Sequence, residues 1–288
     1  MDNARYAMIT GASGGLGGAF ALEAARRGWN LVLVDLPDTG LEEVGRRLCR
    51  SYRVEARCFT LNIAEAQARE SIRDWIDEND IALGLLVNNA GSGCHASFSA
   101  ASLGTLAGIV SVNVQATMQL THLLLPALRR RNRPGRQERP GRQERPGIIN
   151  VASLAAFYPM PAMAVYAASK SFILSFTLAL REELHREGVL VSALCPAGML
   201  TNRDTVEQVR AQGFFGRVTT WRPEEVAVVA LRQAARGKAV IIPGLVNRII
   251  RFLGAGVPRS LVVRCIGKRW RDAEIALRPH GSVSPVAV

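Results

Sequence analysis

The chain of 288 residues is short of several things, and each shortage excludes something. Acidic residues are scarce, 24 Asp and Glu against 36 Lys and Arg, which leaves a formal net charge of +12. Lysine is scarcer still: Lys170, Lys238 and Lys268 are the only three, and every other cation is Arg. The five cysteines (Cys49, Cys58, Cys94, Cys195 and Cys265) are odd in number and never spaced C-x-x-C. Neither a disulfide framework nor a metal site is therefore expected. Aromatic residues make up 6% of the chain, and its two basic segments hold only Phe252 and Trp270 between them. No helix-turn-helix or zinc spacing is present either, so the charge does not read as a nucleic-acid surface. The opening Met1-Asp2-Asn3-Ala4-Arg5 runs straight into a short apolar segment and lacks the pattern of a signal peptide. A reducing, cytoplasmic setting is the expectation, with no membrane-spanning segment.

What is present is a large apolar fraction, 48%, enough for a sizeable core. The charge is local. Residues 129–147 hold eight Arg and two Glu, and residues 240–288 hold eight basic and two acidic residues. The remaining stretches hold 20 basic and 20 acidic side chains, so the body of the chain is neutral.

Apolar runs of strand length alternate with amphipathic stretches of helix length. Tyr6–Thr10, Asn30–Asp35, Ala56–Leu61, Leu85–Asn88, Ile148–Val151, Leu190–Cys195 and Ala239–Ile242 read as seven strands. They are apolar and not joined by hairpin turns, which suits a parallel sheet with helices on both faces. The fold class is α/β: one Rossmann-type, doubly wound domain over 1–242, followed by an amphipathic helical extension over 243–275. A flexible tail is expected over 276–288. Residues 133–147 repeat RPGRQE twice and add a third RPG. Pro-Gly pairs forbid helix and central strand, so a loop is expected. It falls at the amino edge of the sheet, opposite the edge where such sheets bind ligands.

Thr10-Gly11-Ala12-Ser13-Gly14-Gly15-Leu16-Gly17 follows the first strand and opens a helix. Glycines there permit a tight turn and let backbone N–H groups approach a pyrophosphate. The second strand ends at Asp35, placed to accept from ribose hydroxyls and to repel a 2′-phosphate. No basic residue stands in the turn, and NAD is favoured over NADP.

Tyr166 and Lys170 stand four apart at the start of a long helical stretch, on one face. A phenol is a poor acid or base at neutrality, and a nearby ammonium favours its ionised form. In a chain that writes nearly every cation as Arg, a lysine is kept at this spacing. Ser153 lies just past a strand end, beside the glycine turn, where its hydroxyl suits a substrate carbonyl.

Together these elements resemble the short-chain dehydrogenase/reductase family over roughly residues 4–240. Thr10, Gly11, Gly15 and Gly17 match its T-G-x-x-x-G-x-G, and Asn88, Asn89, Ala90 and Gly91 its N-N-A-G. Asn113 matches its helix-borne Asn, and Ser153, Tyr166 and Lys170 its Ser and Y-x-x-x-K. The resemblance implies a nicotinamide dinucleotide across the carboxyl edge, contacted by the glycine turn, Ser13, Leu16, Asp35, Asn62, Ile63, Asn89–Gly91, Pro196 and Thr201. Tyr166 would exchange a proton with the substrate oxygen and Ser153 would polarise that oxygen. Lys170 would bind the nicotinamide ribose and lower the Tyr166 pKa, and Asn113 would hold a relay water. Two departures stand out: Asn62 replaces the usual Asp near the adenine, and Ala197 replaces Gly after Pro196.

The expected substrate wall is apolar, from Phe157, Tyr158, Met160 and Met163 and from Met199, Phe214, Phe215 and Trp221. It suits a hydrophobic secondary alcohol or ketone. Residues 245–272 mix aliphatic and basic side chains around a break at Pro258, suiting either subunit packing or peripheral contact with an anionic membrane. The resemblance implies a homodimer or homotetramer. The competing reading is a dinucleotide-binding sensor without turnover.

Overall fold

The computed structural model describes residues 5–131, 145–199, 220–258, 260–268 and 285–287. The first half runs β1 (Tyr6–Thr10), α1 (Gly15–Arg26), β2 (Asn30–Asp35), α2 (Leu41–Tyr52), β3 (Ala56–Thr60), α3 (Ala66–Glu78) and β4 (Leu83–Asn88). A short strand β5 (Ser92–Cys94) precedes α4 (Leu103–Val110), a π-helical segment (Ser111–Ala116) and α5 (Thr117–Arg131). Then come β6 (Gly147–Val151), a 3-10 turn (Leu154–Phe157), α6 (Ala164–His185), β7 (Leu190–Leu194), α7 (Pro223–Ala235) and β8 (Val240–Ile241). The extension opens with α8 (Leu245–Ala255), continues as a helical stretch over 260–268, and includes β9 (Pro285–Ala287).

Seven strands form one parallel sheet in the order β3-β2-β1-β4-β6-β7-β8, and each expected strand is found, with ends shifted by a residue or two. After β3 the chain crosses to the other side of β1 to form β4, so the connections diverge between β1 and β4. A crevice opens there at the carboxyl edge, as in other doubly wound sheets. Each face of the sheet is sealed by its own apolar layer. Ile9, Leu31, Leu33 and Val87 meet Leu16, Phe20 and Val226 of α1 and α7 on one side. Met8, Val32, Leu86 and Ile148 meet Ile72, Leu120 and Leu184 of α3, α5 and α6 on the other. Both faces buried is the reason the strands read as unbroken apolar runs.

Residues 81–128 contain no Asp, Glu, Lys or Arg, yet they are used for β4, β5, α4 and α5 inside this sandwich. Among the described residues no helix is long and apolar enough to cross a membrane. Arg131 ends α5 and Gly147 opens β6 at the amino edge; residues 132–144 of the Arg/Pro/Gly insert lie outside the described residues. Within the stretch 276–288, the described residues Pro285–Ala287 pair antiparallel with β5. Backbone donors of a short strand beside the cleft find acceptors that composition could not announce.

A polar ladder crosses the core below the crevice. Asn88 Nδ2 donates to Thr121 Oγ1 (2.9 Å) and Asn150 Oδ1 (2.8 Å), and Asn150 Nδ2 donates to Thr177 Oγ1 (3.0 Å). It ties β4 to β6 and both strands to α5 and α6. Removing Asn150 leaves one buried N–H of Asn88 without its acceptor in a dry interior. Asn150→Ala is expected to lower unfolding free energy by about 2 kcal/mol in urea titration. A loss below about 0.5 kcal/mol would mean the ladder is not a structural tie.

Candidate active site

The crevice is framed by hydrogen bonds between the ends of β1 and β4. Thr10 Oγ1 accepts from the backbone N–H groups of Asn89 and Ala90, each at 3.0 Å. Asn89 Nδ2 returns bonds to the carbonyls of Thr10 (2.9 Å) and Gly11 (3.2 Å). Asn89 Oδ1 is buried with no hydrogen-bond partner among the described residues, an acceptor held ready in the crevice. The turn above is built for glycine. Gly11 has φ 67°, and a Cβ on Gly17 would sit 1.8 Å from the Gly11 carbonyl oxygen. Gly15 has φ 53°, and Leu16 is fully buried under the turn. α1 starts after Gly14 with no side-chain cap, leaving its first N–H groups open toward the crevice.

Asp35 closes the rim. Its Oδ2 accepts from the Ser13 N–H (2.8 Å) and hydroxyl (2.5 Å), and its Oδ1 accepts from the Leu36 N–H (2.8 Å). Three donors hold the carboxylate at the glycine turn. The backbone cradle, the open helix end, the orphaned acceptor and this carboxylate fit a nicotinamide dinucleotide. The glycine turn, Asn89 and Asp35 are therefore gathered in one place.

The four expected catalytic residues converge across from that cradle. Ser153 follows β6; its Oγ accepts from the Ala155 N–H (3.1 Å) and its hydroxyl bonds to the Tyr166 phenol. Tyr166 projects from the first turn of α6, and its ring lies against Gly93, whose missing Cβ would approach within 3.1 Å. Lys170, one turn on, donates from Nζ to the Val151 carbonyl (3.0 Å), and Nζ lies 5.7 Å from the Tyr166 ring centroid. A Cβ on Gly91 would meet Asn113 Oδ1 at 3.1 Å and Lys170 Nζ at 3.2 Å, so this glycine lets the backbone pass between them.

Asn113 sits in the π-helical segment, and its amide is fully committed. Oδ1 accepts from the Ser92 N–H (2.8 Å), while Nδ2 donates to the Ser92 carbonyl and to Ser169 Oγ, both at 2.9 Å. The side chain is thus an anchor between α4–α5, β5 and α6. Ser169, itself bonded to the Tyr166 carbonyl at 2.7 Å, completes the anchor; nothing in its spacing announced it.

Burial governs the electrostatics. It holds the Tyr166 phenol above its ordinary value, and the hydrogen bond from Ser153 pulls it the other way. The same burial lowers Lys170 to about 8. Cys195, buried beside it at the end of β7, is pushed up to about 12 and stays a neutral thiol. The ammonium thus faces a protonated phenol in a dry site, and the depressed phenol pKa expected from the spacing is not what this balance gives.

Other expected contacts are placed unevenly. Asn62 Oδ1 accepts from the Ala64 N–H (3.0 Å) and Nδ2 reaches Glu65, so the amide turns the chain into α3; Ile63 is buried beside it. The Pro196 carbonyl accepts from Leu154 N–H at 2.9 Å, tying the segment after β7 to the turn carrying Ser153. Ala197 keeps a negative φ, so the departure from Gly there strains nothing. Thr201, Phe214 and Phe215 lie outside the described residues.

Residues 5–212 match the family described as short chain dehydrogenase. The chain belongs to the short-chain dehydrogenase/reductase family, whose members are NAD(P)-dependent oxidoreductases acting on CH–OH groups. It is 31% identical over 193 residues to a very-long-chain 3-oxoacyl-CoA reductase of Laccaria bicolor, covering 66% of this chain and 53% of that one. It is 30% identical to an inactive hydroxysteroid dehydrogenase-like protein 1 of Rattus norvegicus, covering 75% and 61%. The chain thus spans little more than half the length of these relatives. Among solved structures, a 7beta-hydroxysteroid dehydrogenase superposes with TM-score 0.79 at 21% identity, covering 91% of this chain and 96% of that one. A short-chain dehydrogenase/reductase from Burkholderia phymatum in complex with NAD gives 0.73 at 23% identity, covering 99% and 100%. One from Sphingobium yanoikuyae in complex with NADPH gives 0.70 at 24% identity, covering 98% of each chain.

A buried lysine lowered from 10.5 to about 8 leaves a signature in stability. Below that value the folded chain bears the full cost of the buried charge. Between about pH 8 and 10.5 the unfolded chain still binds the proton that the folded chain has released, so stability rises with pH in that window. Lys170→Met removes this rise. The wild-type protein should gain on the order of 3 kcal/mol relative to the variant across the window, read from urea unfolding at each pH. Parallel pH curves would show that Lys170 is not desolvated.

Proposed function

We propose that the protein is an active NAD(P)-dependent dehydrogenase/reductase that interconverts a hydrophobic secondary alcohol and its ketone, with NAD favoured over NADP. The carrying observation is the convergence of Tyr166, Ser153, Lys170 and the Asn113 anchor opposite the glycine cradle. The dinucleotide, when bound, supplies the acceptor or donor of the hydride. Tyr166 gives a proton to the ketone oxygen, or takes one from the alcohol, at its phenol oxygen. Ser153 holds the same oxygen by a hydrogen bond and bonds the phenol in turn. Lys170 has one N–H engaged by Val151; its others would bind the ribose hydroxyls of the dinucleotide, and its charge favours the phenolate once the proton has left. Burial on all sides excludes water and makes each of these interactions stronger than in solution.

Preference for NAD rests on the Asp35 carboxylate at the turn, since solved relatives carry either cofactor. An apolar substrate rests on Phe157, Tyr158, Met160 and Met163, between Ser153 and Tyr166 in the chain. We read the chain as a homo-oligomer, because α5 and α6 expose Met118, Phe172 and Leu178 on their outer faces. A reducing, cytoplasmic setting suits five unpaired cysteines, and peripheral contact with a membrane is assigned to 245–272. A second reading, binding without turnover, is favoured by the relative named inactive.

Tyr166→Phe separates the two readings. NAD-linked turnover across a panel of secondary alcohols, steroids and acyl ketones should fall at least about 100-fold, with NAD affinity retained. Wild-type protein that binds NAD but turns over none of the panel, apolar or polar, would favour the sensor. Asp35→Ala should shift the ratio of kcat/KM for NAD over NADP at least about tenfold toward NADP. An unchanged ratio would remove Asp35 from cofactor choice.

A further inference from the structure

α8 is amphipathic with its faces reversed. Asn247, Arg251 and Gly254, spaced i, i+4 and i+7, face the protein: Asn247 Nδ2 donates to the Pro243 carbonyl at 2.9 Å, and Arg251 lies 5.1 Å over the Phe157 ring. A Cβ on Gly254 would stand 2.2 Å from Tyr158 Oη. The opposite stripe, Leu245, Ile249, Phe252 and Leu253, is 70%, 48%, 74% and 65% exposed. A helix whose partner were only this subunit would turn that stripe inward. The helical stretch over 260–268 continues the pattern, with Leu261 exposed beside Arg264 and Lys268.

Charge identifies what covers the stripe. From Val226 to Arg271 the sequence has ten basic residues and no acidic one. A second copy of the same face would set like charges against each other, and a nucleic acid would leave the leucines and Phe252 in water. An anionic phospholipid surface answers both halves, accepting the apolar stripe below its headgroups and pairing with Arg248, Arg264 and Lys268.

The helix also touches both sides of the substrate region. The Tyr158 hydroxyl donates to the carbonyls of Ile250 (3.3 Å) and Arg251 (3.4 Å), and Tyr158 closes the turn that begins at Ser153. At its start, a Cβ on Gly244 would lie 2.7 Å from Trp221 Nε1, and Trp221 bridges Met199. We propose that α8 seats the protein on an anionic phospholipid surface and that the apolar substrate enters the cleft from that surface, past Tyr158 and Trp221. The entry step rests on the dehydrogenase reading above; the seating does not.

The full chain would be sedimented with phosphatidylcholine vesicles, with and without phosphatidylglycerol, and assayed on a vesicle-dissolved and a water-soluble ketone. Sedimentation is expected only with phosphatidylglycerol, falling at least about tenfold in the double variant Phe252→Ser, Leu253→Ser. These vesicles should lower KM for the dissolved ketone in wild type and not in the variant, leaving the soluble ketone unchanged in both. No sedimentation, or equal sedimentation with neutral vesicles, would overturn the seating. So would a change of oligomeric state in the variant by light scattering, which would give the stripe to a second copy. Seating without a KM change would overturn entry. No turnover of either ketone would overturn the dehydrogenase reading and entry with it, while sedimentation still decides the seating.

Discussion

An ammonium that is 1% exposed is the constraint around which the carboxyl edge is organised. Desolvating a lysine costs enough to pull its pKa toward neutrality, and a fold keeps such a group only where its surroundings give something back. Here the Val151 carbonyl accepts one N–H, Gly91 brings the backbone close because it has no side chain, and the neighbouring Cys195 thiol stays neutral. Asn113, Ser92 and Ser169 lock the walls so that the ammonium and the Tyr166 phenol share one helix turn. An Arg would not serve. Its planar fork is not a compact point charge and does not titrate, which gives the scarcity of lysine elsewhere its meaning.

The parts legible in the sequence are those with a period or a fixed offset. Strands buried on both faces show as apolar runs, and the Tyr166–Lys170 pair shows because four residues make about one helical turn. Gly17 was legible as a motif, although the 1.8 Å clash behind it was not. What stayed hidden depends on partners far apart in the chain. The Asn88–Asn150–Thr177 ladder joins residues that each look like ordinary polar interruptions. The π-helical segment carrying Asn113 has no composition of its own. The spacing of Tyr166 and Lys170 suggested a lowered phenol pKa, but burial, a tertiary property, outweighs it.

The basic charge divides along the same line. A cavity of about 690 Å³ at the amino edge is lined by Arg5, Arg27, Arg145, Arg181 and Arg236, and by charge alone it resembles an anion site. Yet Arg27 and Arg236 stand just past the ends of α1 and α7, and Arg181 lies in the closing turns of α6. Carbonyls at helix ends carry partial negative charge and attract cations. Arg27 also pairs with Glu23, and Arg181 donates to the Val191 carbonyl. Local acceptors account for much of that charge. On α8 no acid stands anywhere near in sequence, and apolar side chains are exposed beside the bases.

The two edges of the cleft differ in what they can tolerate. The proposed cofactor cradle and proton donor are fixed to the sheet by Thr10, Asn89 and Lys170, each hydrogen-bonded to backbone at a strand end, so their separation is set by the rigid element. Hydride and proton transfer need that rigidity, because a misplacement of one ångström costs orders of magnitude in rate. The proposed substrate wall draws on the turn after β6, residues 195–199 after β7 and the extension, none of which belongs to the seven-stranded sheet. Those segments can change shape and composition without disturbing the strand ends. The reaction class is therefore written in residues that the fold itself requires, while the substrate is written in residues it leaves free.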